Sequence, residues 1–495
     1  MEHIVTCPNP YDRGSCSTII VGKAASTTGH VLVGHSEDDF DCTIQVHKVP
    51  RIQHKEGETL SFADAPAVIP QVPETYAYQW SEFRCEGGIS FADCYLNEWG
   101  LAVVSNACRP SKLSEEEPQL GGMGYALRRL VAERARTARE AVEVAAELVS
   151  TYGYFSSRSY QFIDKDEAWV FQVPTGNRYV AKRVPDDHVY FIPNHFTIHE
   201  VDWTDTEHKN YYFSEDLAEY PIRRGWYTPA VPGDHSDFDF AAAYQDGKDK
   251  VHNMMRTRQA WPMLIGERPE EWRPFSRKAP HKLSPEDLKR ILRSHFEGTE
   301  DDYSGGYEHN PHLDRDPCTL CSAMTAESTV LVFHEIPALT CIWRASPKTC
   351  ITPFVPWYLG NTAVPRGYSW LDPTTSQATH FMPTPSELHI DFSRAYWSFR
   401  VLQYFTEFDY KGTHELLRKS AAELEHKWEA EAPMVEESYK RMLAISPEMA
   451  SDYLTSYTAA AAQRAWDWAN ERIEQLGEER ILKNSSTRLI PPENV

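Results

Sequence analysis

Short apolar runs rich in Val and Ile, punctuated by Gly, Asn and Asp, crowd the start of this chain: CSTIIVG (16–22), HVLVGHS (30–36), GGISFADCYL (87–96) and GLAVVSNA (100–107). Their length and β-branched content are those of strands, so a sheet begins almost at the N-terminus. Two helical segments follow. The clearer is 138–152, where Thr137 with Glu140 has the form of a capping box and Gly153 supplies the stop. Its residues Ala141, Val142, Ala145, Leu148, Val149 and Tyr152 form one apolar stripe that should pack on a sheet. Strand signals resume in YQFID, EAWVFQV, NRYVAKRV and HVYFIPN, and later in STVLVFHEI and LTCIWRA. Strands, then helices, then strands predicts sheets layered with helices, not a βαβ winding. No glycine-rich phosphate loop marks a strand-to-helix junction.

The rest of the chain is read more coarsely. Residues 235–300 are polar and expected to be helical, and EGTEDDYSGGYEHNPH (297–312) is expected to be a mobile surface loop. A Pro-rich stretch, ITPFVPWYLGNTAVPRGYSWLDPTT, resists regular structure, and from about 390 onward Ala/Glu/Leu-rich segments predict long helices.

Charge and cysteine usage narrow the function. A formal charge of -22 opposes a nucleic-acid or anionic-membrane partner, leaving small neutral or zwitterionic ligands. No signal-like leader and no apolar run of the ~20 residues that span a bilayer is evident, so the expected location is the cytoplasm. Ten cysteines form no compact disulfide framework and are expected to be reduced, mostly buried thiols. Cys318-Thr-Leu-Cys321 has zinc-ligand spacing, but no second Cys or His pair follows at a suitable distance, so neither metal nor cofactor is expected and these two thiols are read as strand-end residues.

The candidate chemistry starts at Cys16, the first residue of an apolar strand. Alone, such a cysteine reads as a buried spectator. If the preceding peptide were removed, Cys16 would carry nucleophile and base together, because a free α-amine titrating at about 7.7–8.0 can accept the proton of a thiol titrating near ~8.5.

The run Cys16-Ser-Thr-Ile-Ile-Val-Gly-Lys23, then Gly29, then His35-Ser-Glu37-Asp38, resembles the start of the mature dipeptidase A and secernin family. Further matches keep the family order: Asn97-Glu98-Trp99-Gly100, Asn106, Glu167-Ala-Trp169, Arg183-Val-Pro, Asn194-His-Phe, Arg258-Gln-Ala-Trp261, Ser328-Thr-Val and Trp343-Arg-Ala-Ser-Pro. The likeness spans most of residues 16–360. It implies an N-terminal nucleophile hydrolase related to bile-salt hydrolase and penicillin V acylase: an α+β fold built as a four-layer αββα sandwich over 16–385. A leader at 1–15 would be cut between Ser15 and Cys16, a helical or loop insertion would lie near 235–315, and additional C-terminal helices at 386–495 would pack on the core.

The resemblance also implies roles. Cys16 is the nucleophile and its amine the base, Asp38 holds that amine, Asn194 gives its amide to the oxyanion hole with Asn106 nearby, and Arg258 is the site arginine, Arg256 being the alternative if the alignment shifts. His35 stands where relatives carry Arg or Lys, placing beside the thiol a substrate-facing charge that titrates near ~6.5. Thr28 and His30 replace the usual Asp and Ser around Gly29. The expected reaction is dipeptide hydrolysis. An acylase or acyltransferase acting on another amide, and a secernin-like protein without turnover, are the alternatives. The expected partner is a small peptide or amide, with no nucleic acid and no membrane, and the sequence is compatible with a homo-oligomer.

Overall fold

The computed structural model describes residues 16–488 apart from 40–41, 63–64, 86–89, 109–110, 114–121, 248–250, 271–272, 313–318, 374–375 and 377–388. The expected leader, the boundary at 385/386 and residues Cys7 and Cys318 therefore lie outside the described residues. The chain opens as β1 (Ser17–Val21), β2 (Leu32–Asp38) and β3 (Cys42–Val49). Two small ribbons follow, β4 (Ile52–Gln53) with β7 (Glu74–Thr75) and β5 (Thr59–Phe62) with β6 (Ala65–Pro70). A meander of β8 (Tyr78–Cys85), β9 (Ser90–Asn97) and β10 (Ala102–Ala107) leads to helices α1 (Leu127–Arg134) and α2 (Ala138–Tyr152). Then come β11 (Arg158–Ile163), β12 (Ala168–Val173), β13 (Val180–Arg183), β14 (His188–Ile192) and β15 (Tyr211–Phe213).

The polar middle carries α3 (Glu219–Arg224), α4 (Phe240–Tyr244), α5 (Val251–Ile265) and α6 (Pro285–Leu292), with one edge strand, β16 (Ser276–Lys278), inside a region expected to be helical. Strands β17 (Thr325–Val332), β18 (Cys341–Ala345) and β19 (Val355–Tyr358) precede the long helices α7 (Ala395–Phe408), α8 (Tyr410–Leu443) and α9 (Pro447–Arg488).

Two antiparallel sheets hold the molecule together. One runs β16-β14-β1-β2-β17-β18-β19 and the other β15-β13-β12-β11-β10-β9-β8-β3. Strand alternation assigns their faces. In β10, Ala102 and Val104 point into a core shared with Val33 and Ile192 of the first sheet, whereas Leu101 and Val103 join the core under α1 and α2. On the far side, α5 and α6 cover β14, β2 and β17. The layers are therefore α, β, β, α, as expected, with α9 lying along β19. Burial of the first sheet between a second sheet and helices explains why β1 (STIIV) is buried along its whole length and ends in the apolar run IIV.

Local signals explain individual elements. Thr137 caps α2 by accepting from Glu140 N at 3.1 Å, and Gly153 ends it at φ 79°. Glu140 reaches past the cap to accept from Arg136 N at 2.8 Å. The Pro-rich stretch proves partly regular: β19 contains Pro356, tolerated because this edge strand pairs only with β18, so its missing N–H costs no ladder bond. Segment 297–312 has neither helix nor strand, but Ser304 and His312 within it are buried. The cysteines at 16, 42, 94, 108, 321, 341 and 350 are all free and buried. Among the described residues, no helix is long and apolar enough to cross a membrane.

Candidate functional site

Cys16 immediately precedes β1, and the register Ser17↔Ser36, Thr18↔His35 sets it beside the end of β2. Alternation then sorts the neighbouring side chains onto two faces. Thr18, His35 and Glu37 point inward to the second sheet with the Cys16 thiol, which donates to Glu37 Oε2 at 3.4 Å. Ser17 and Asp38 point outward to α5, where Arg256 bridges them: Nη1 donates to Ser17 Oγ at 3.2 Å and Nη2 to Asp38 Oδ2 at 2.5 Å. Ser322, in the loop before β17, also donates to Asp38 Oδ2, at 3.5 Å.

On the inner face, Thr18 spends its single hydroxyl proton on Asn106 Oδ1 of β10 at 2.7 Å. His35 Nδ1, 2.9 Å from Thr18 Oγ1, must therefore be the donor there. His35 Nε2 lies 2.6 Å from Asp93 Oδ2 and 3.5 Å from Glu37 Oε2. With both ring nitrogens donating, the ring is an imidazolium. Burial opposes that charge, but Asp93 and then Glu37 overcome it and raise the His35 pKa to about 9. The charge beside the thiol is therefore fixed at neutral pH, unlike the group titrating near ~6.5 expected for a histidine.

Glu37 is pushed up to about 8 by burial and by Asp93, which it hydrogen-bonds. Asp93 is driven the other way: burial raises it, and His35 with Arg128 more than reverses this. One imidazolium, one carboxylate and one neutral acid result. The Cys16 thiol is held well above its ordinary range by burial, then by Glu37, Asp93 and Asp38, with Arg158 opposing. In this buried setting it is a protonated thiol.

The remaining sequence candidates are placed unevenly. The Asn106 side-chain nitrogen, Nδ2, has no hydrogen-bond partner among the described residues. Asn194 directs its side-chain nitrogen to Ala107 O at 2.8 Å, and its backbone is clamped by Asn253, which accepts from Asn194 N and donates to Asn194 O, both at 3.2 Å. Arg258 faces away from the site, pairing with Glu300 and, at 3.5 Å, Asp301, its side chain 41 % exposed. Two residues along an α-helix turn by about 200°, so Arg256 and Arg258 cannot share a face, and the alternative Arg256 is the one that meets Asp38. His35, expected to face substrate, is 2 % exposed with both ring nitrogens engaged.

Sequence reasoning missed Asp93 and the part played by Glu37. Glu37 carried a signal, an acid alternating with His35 on a strand. Asp93 carried none, because its neighbour Cys94 also faces the first sheet, 3.5 Å from Thr329 Oγ1. Two consecutive residues share that face through an irregularity in the β8–β9 register, where Cys94 adopts φ 49°. Next to this cluster, Glu327 is the cross-strand partner of Glu37 and lines a cavity between the sheets with Arg344, Trp357 and Tyr368.

Two groups of metal-ligating side chains occur among the described residues: His35, Glu37 and Asp93, which are hydrogen-bonded into the site, and His295, His312, Cys321 and Cys350. Cys321, expected to sit at a strand end, lies in the loop before β17.

The sequence pattern of peptidase family C69 matches residues 15–423. A probable dipeptidase B of Lactococcus lactis subsp. lactis is 29% identical over 311 residues, covering 59% of this chain and 63% of that protein. A dipeptidase of Bifidobacterium longum is 25% identical over 406 residues, 74% of each. The chain thus spans less than two thirds of the Lactococcus relative. A penicillin V acylase structure from Agrobacterium tumefaciens superposes with a TM-score of 0.33 at 13% identity, over 68% of this chain and 84% of that one.

Proposed function

The chain belongs to peptidase family C69, and on that premise we propose that it is a cysteine dipeptidase whose nucleophile is Cys16, freed by removal of residues 1–15. The observation that carries this reading is the position of Cys16 at the start of β1, its thiol against Glu37 and the next residue, Ser17, tied to the Asp38–Arg256 pair. A chain starting at Cys16 would place a new ammonium at this end of the strand, with Asp38 as the nearby acid to hold it.

In the proposed reaction the free α-amine takes the thiol proton and Sγ attacks the peptide carbonyl carbon. The carbonyl oxygen becomes an oxyanion that accepts from the unengaged Asn106 nitrogen and from Asn194. Collapse breaks the C–N bond, the ammonium protonates the departing amine, and water cleaves the thioester. Such donors matter because losing one costs roughly 10² to 10³ in rate. His35 acts as a positioning residue, holding Thr18 and through it Asn106. Arg256 replaces Arg258 as the site arginine. The protonated state of the buried thiol supports a chain that turns over no peptide substrate until the α-amine is freed to act as base. We further propose that Cys16 promotes the cut itself and that the protein works in the cytoplasm, where free buried thiols persist.

Intact mass and a dipeptide panel test the reading together. The wild type should lose residues 1–15 and hydrolyse dipeptides. Cys16→Ala should keep its full length, remain folded and be inactive. A full-length wild type, or an active Cys16→Ala, defeats the proposal.

A further inference from the structure

Four side chains that the proposed reaction does not use converge from four separate segments. His295 lies three residues after α6, His312 in the irregular segment before β17, Cys321 in the loop entering β17, and Cys350 in the turn after β18. All four are buried, and one ligand atom from each lies within 4.8 Å of all the others. We propose that these residues bind one zinc ion as a structural Cys₂His₂ site.

The distances fit a tetrahedron. With ~2.3 Å Zn–S and ~2.05 Å Zn–N bonds, tetrahedral ligand atoms stand roughly 3.4 Å apart for two nitrogens and roughly 3.6 Å for sulfur and nitrogen. Here His295 Nε2 is 3.1 Å from His312 Nε2, and His312 Nε2 is 3.7 Å from each of the Cys321 and Cys350 sulfurs. Three heads therefore crowd one imidazole nitrogen that has a single lone pair. His295 Nδ1 is 3.0 Å from Glu297 Oε1, so the ring donates there and turns its Nε2 towards the other ring nitrogen. A cation at the centre would engage all four heads, taking a lone pair from each histidine and a thiolate from each cysteine.

The surroundings match what metal-bound residues need. Glu297 orients His295 as a carboxylate partner and is itself held by Tyr307 OH at 2.6 Å. The Tyr410 hydroxyl at the start of α8 lies 3.3 Å from Cys350 Sγ, where it can donate to a thiolate. The ligand spacing of 17, 9 and 29 residues between 295, 312, 321 and 350 matches no compact motif, so the Cys318–Cys321 spacing does not point to the other ligands. The ion would pin Cys321, whose neighbour Ser322 hydrogen-bonds Asp38, and so tie the irregular segment and α8 to the strand that carries the reactive site.

The test uses the untagged protein expressed from the whole sequence, produced with added Zn²⁺ and dialysed, with metal measured by plasma mass spectrometry. About one zinc per chain is expected in the wild type, in Cys16→Ala and in the buried-cysteine control Cys341→Ser, falling about tenfold in Cys321→Ser and Cys350→Ser. Replacing zinc by Co²⁺ in the wild type should give thiolate-to-cobalt charge transfer and the intense visible bands of a tetrahedral site, a readout that stands even if the variants fail to fold. A wild type holding under about a tenth of a zinc after exposure to Zn²⁺, a Cys321–Cys350 disulfide, or full zinc content in a folded Cys321→Ser would each overturn the site.

Discussion

Replacing His35 by Gln removes a charge whose value can be worked from its surroundings. The folded pKa is about 9 against an ordinary 6.5, and at about 1.36 kcal/mol per pKa unit the imidazolium and its partners contribute about 3 kcal/mol. Because the folded value is the higher one, this stability is complete below pH ~6.5 and is lost as pH rises to about 9. The groups that set it are Asp93 and Glu37. Glu37, also raised on folding, to about 8, loses stability over part of the same range, and because its contact with His35 lowers it, the two titrate as a pair whose joint effect the comparison reads. Urea unfolding of wild type and His35→Gln at about pH 6 and about pH 9.5 gives the comparison. The variant's deficit should shrink by about 3 kcal/mol between them. A deficit that does not change with pH would mean that His35 is neutral in the fold and would refute the reading of its two hydrogen bonds.

Three further outcomes follow from the same geometry. Arg256→Ala leaves Asp38 buried without its guanidinium and should cost about 3–5 kcal/mol, whereas Arg258→Ala, on an exposed pair, should cost about 0–1 kcal/mol; urea midpoints separate them, and equal effects would contradict their placement. Asn106→Ala should lower kcat by about 10² to 10³ with little change in KM, and an unaltered kcat would remove Asn106 from the oxyanion role. In Gly360→Ala the new Cβ would lie 2.7 Å from both Ala338 Cβ and Leu454 Cδ1, so wedging α9 off the sheet should cost about 1–3 kcal/mol, readable as a lower Tm.

The sequence made most of the strands legible because burial on both faces leaves an unbroken apolar run. It hid β3 and β8, where Thr43, Gln45, His47, Gln79 and Glu82 are all buried, His47 pairing with Glu82 from one strand to the other, so polarity there did not mean exposure. The nearness of the candidate residues was legible where they are linear, from Cys16 to Asp38, and along the family order to Asn106 and Asn194. It failed at Arg258, where a two-residue shift on a helix reverses the face. It failed again at Asp93, which the irregular β8–β9 register turns inward.

The cluster of His35, Asp93 and Glu37 also governs how the neighbouring sulfur responds to base. At neutral pH its charges cancel, one positive, one negative and one acid still protonated. Past about pH 8 Glu37 ionises, and an uncompensated negative charge appears 3.4 Å from the thiol. Alkali, which makes an isolated cysteine more nucleophilic, here raises an electrostatic barrier against the thiolate as it forms. The fold has built an alkaline brake into its own inner face.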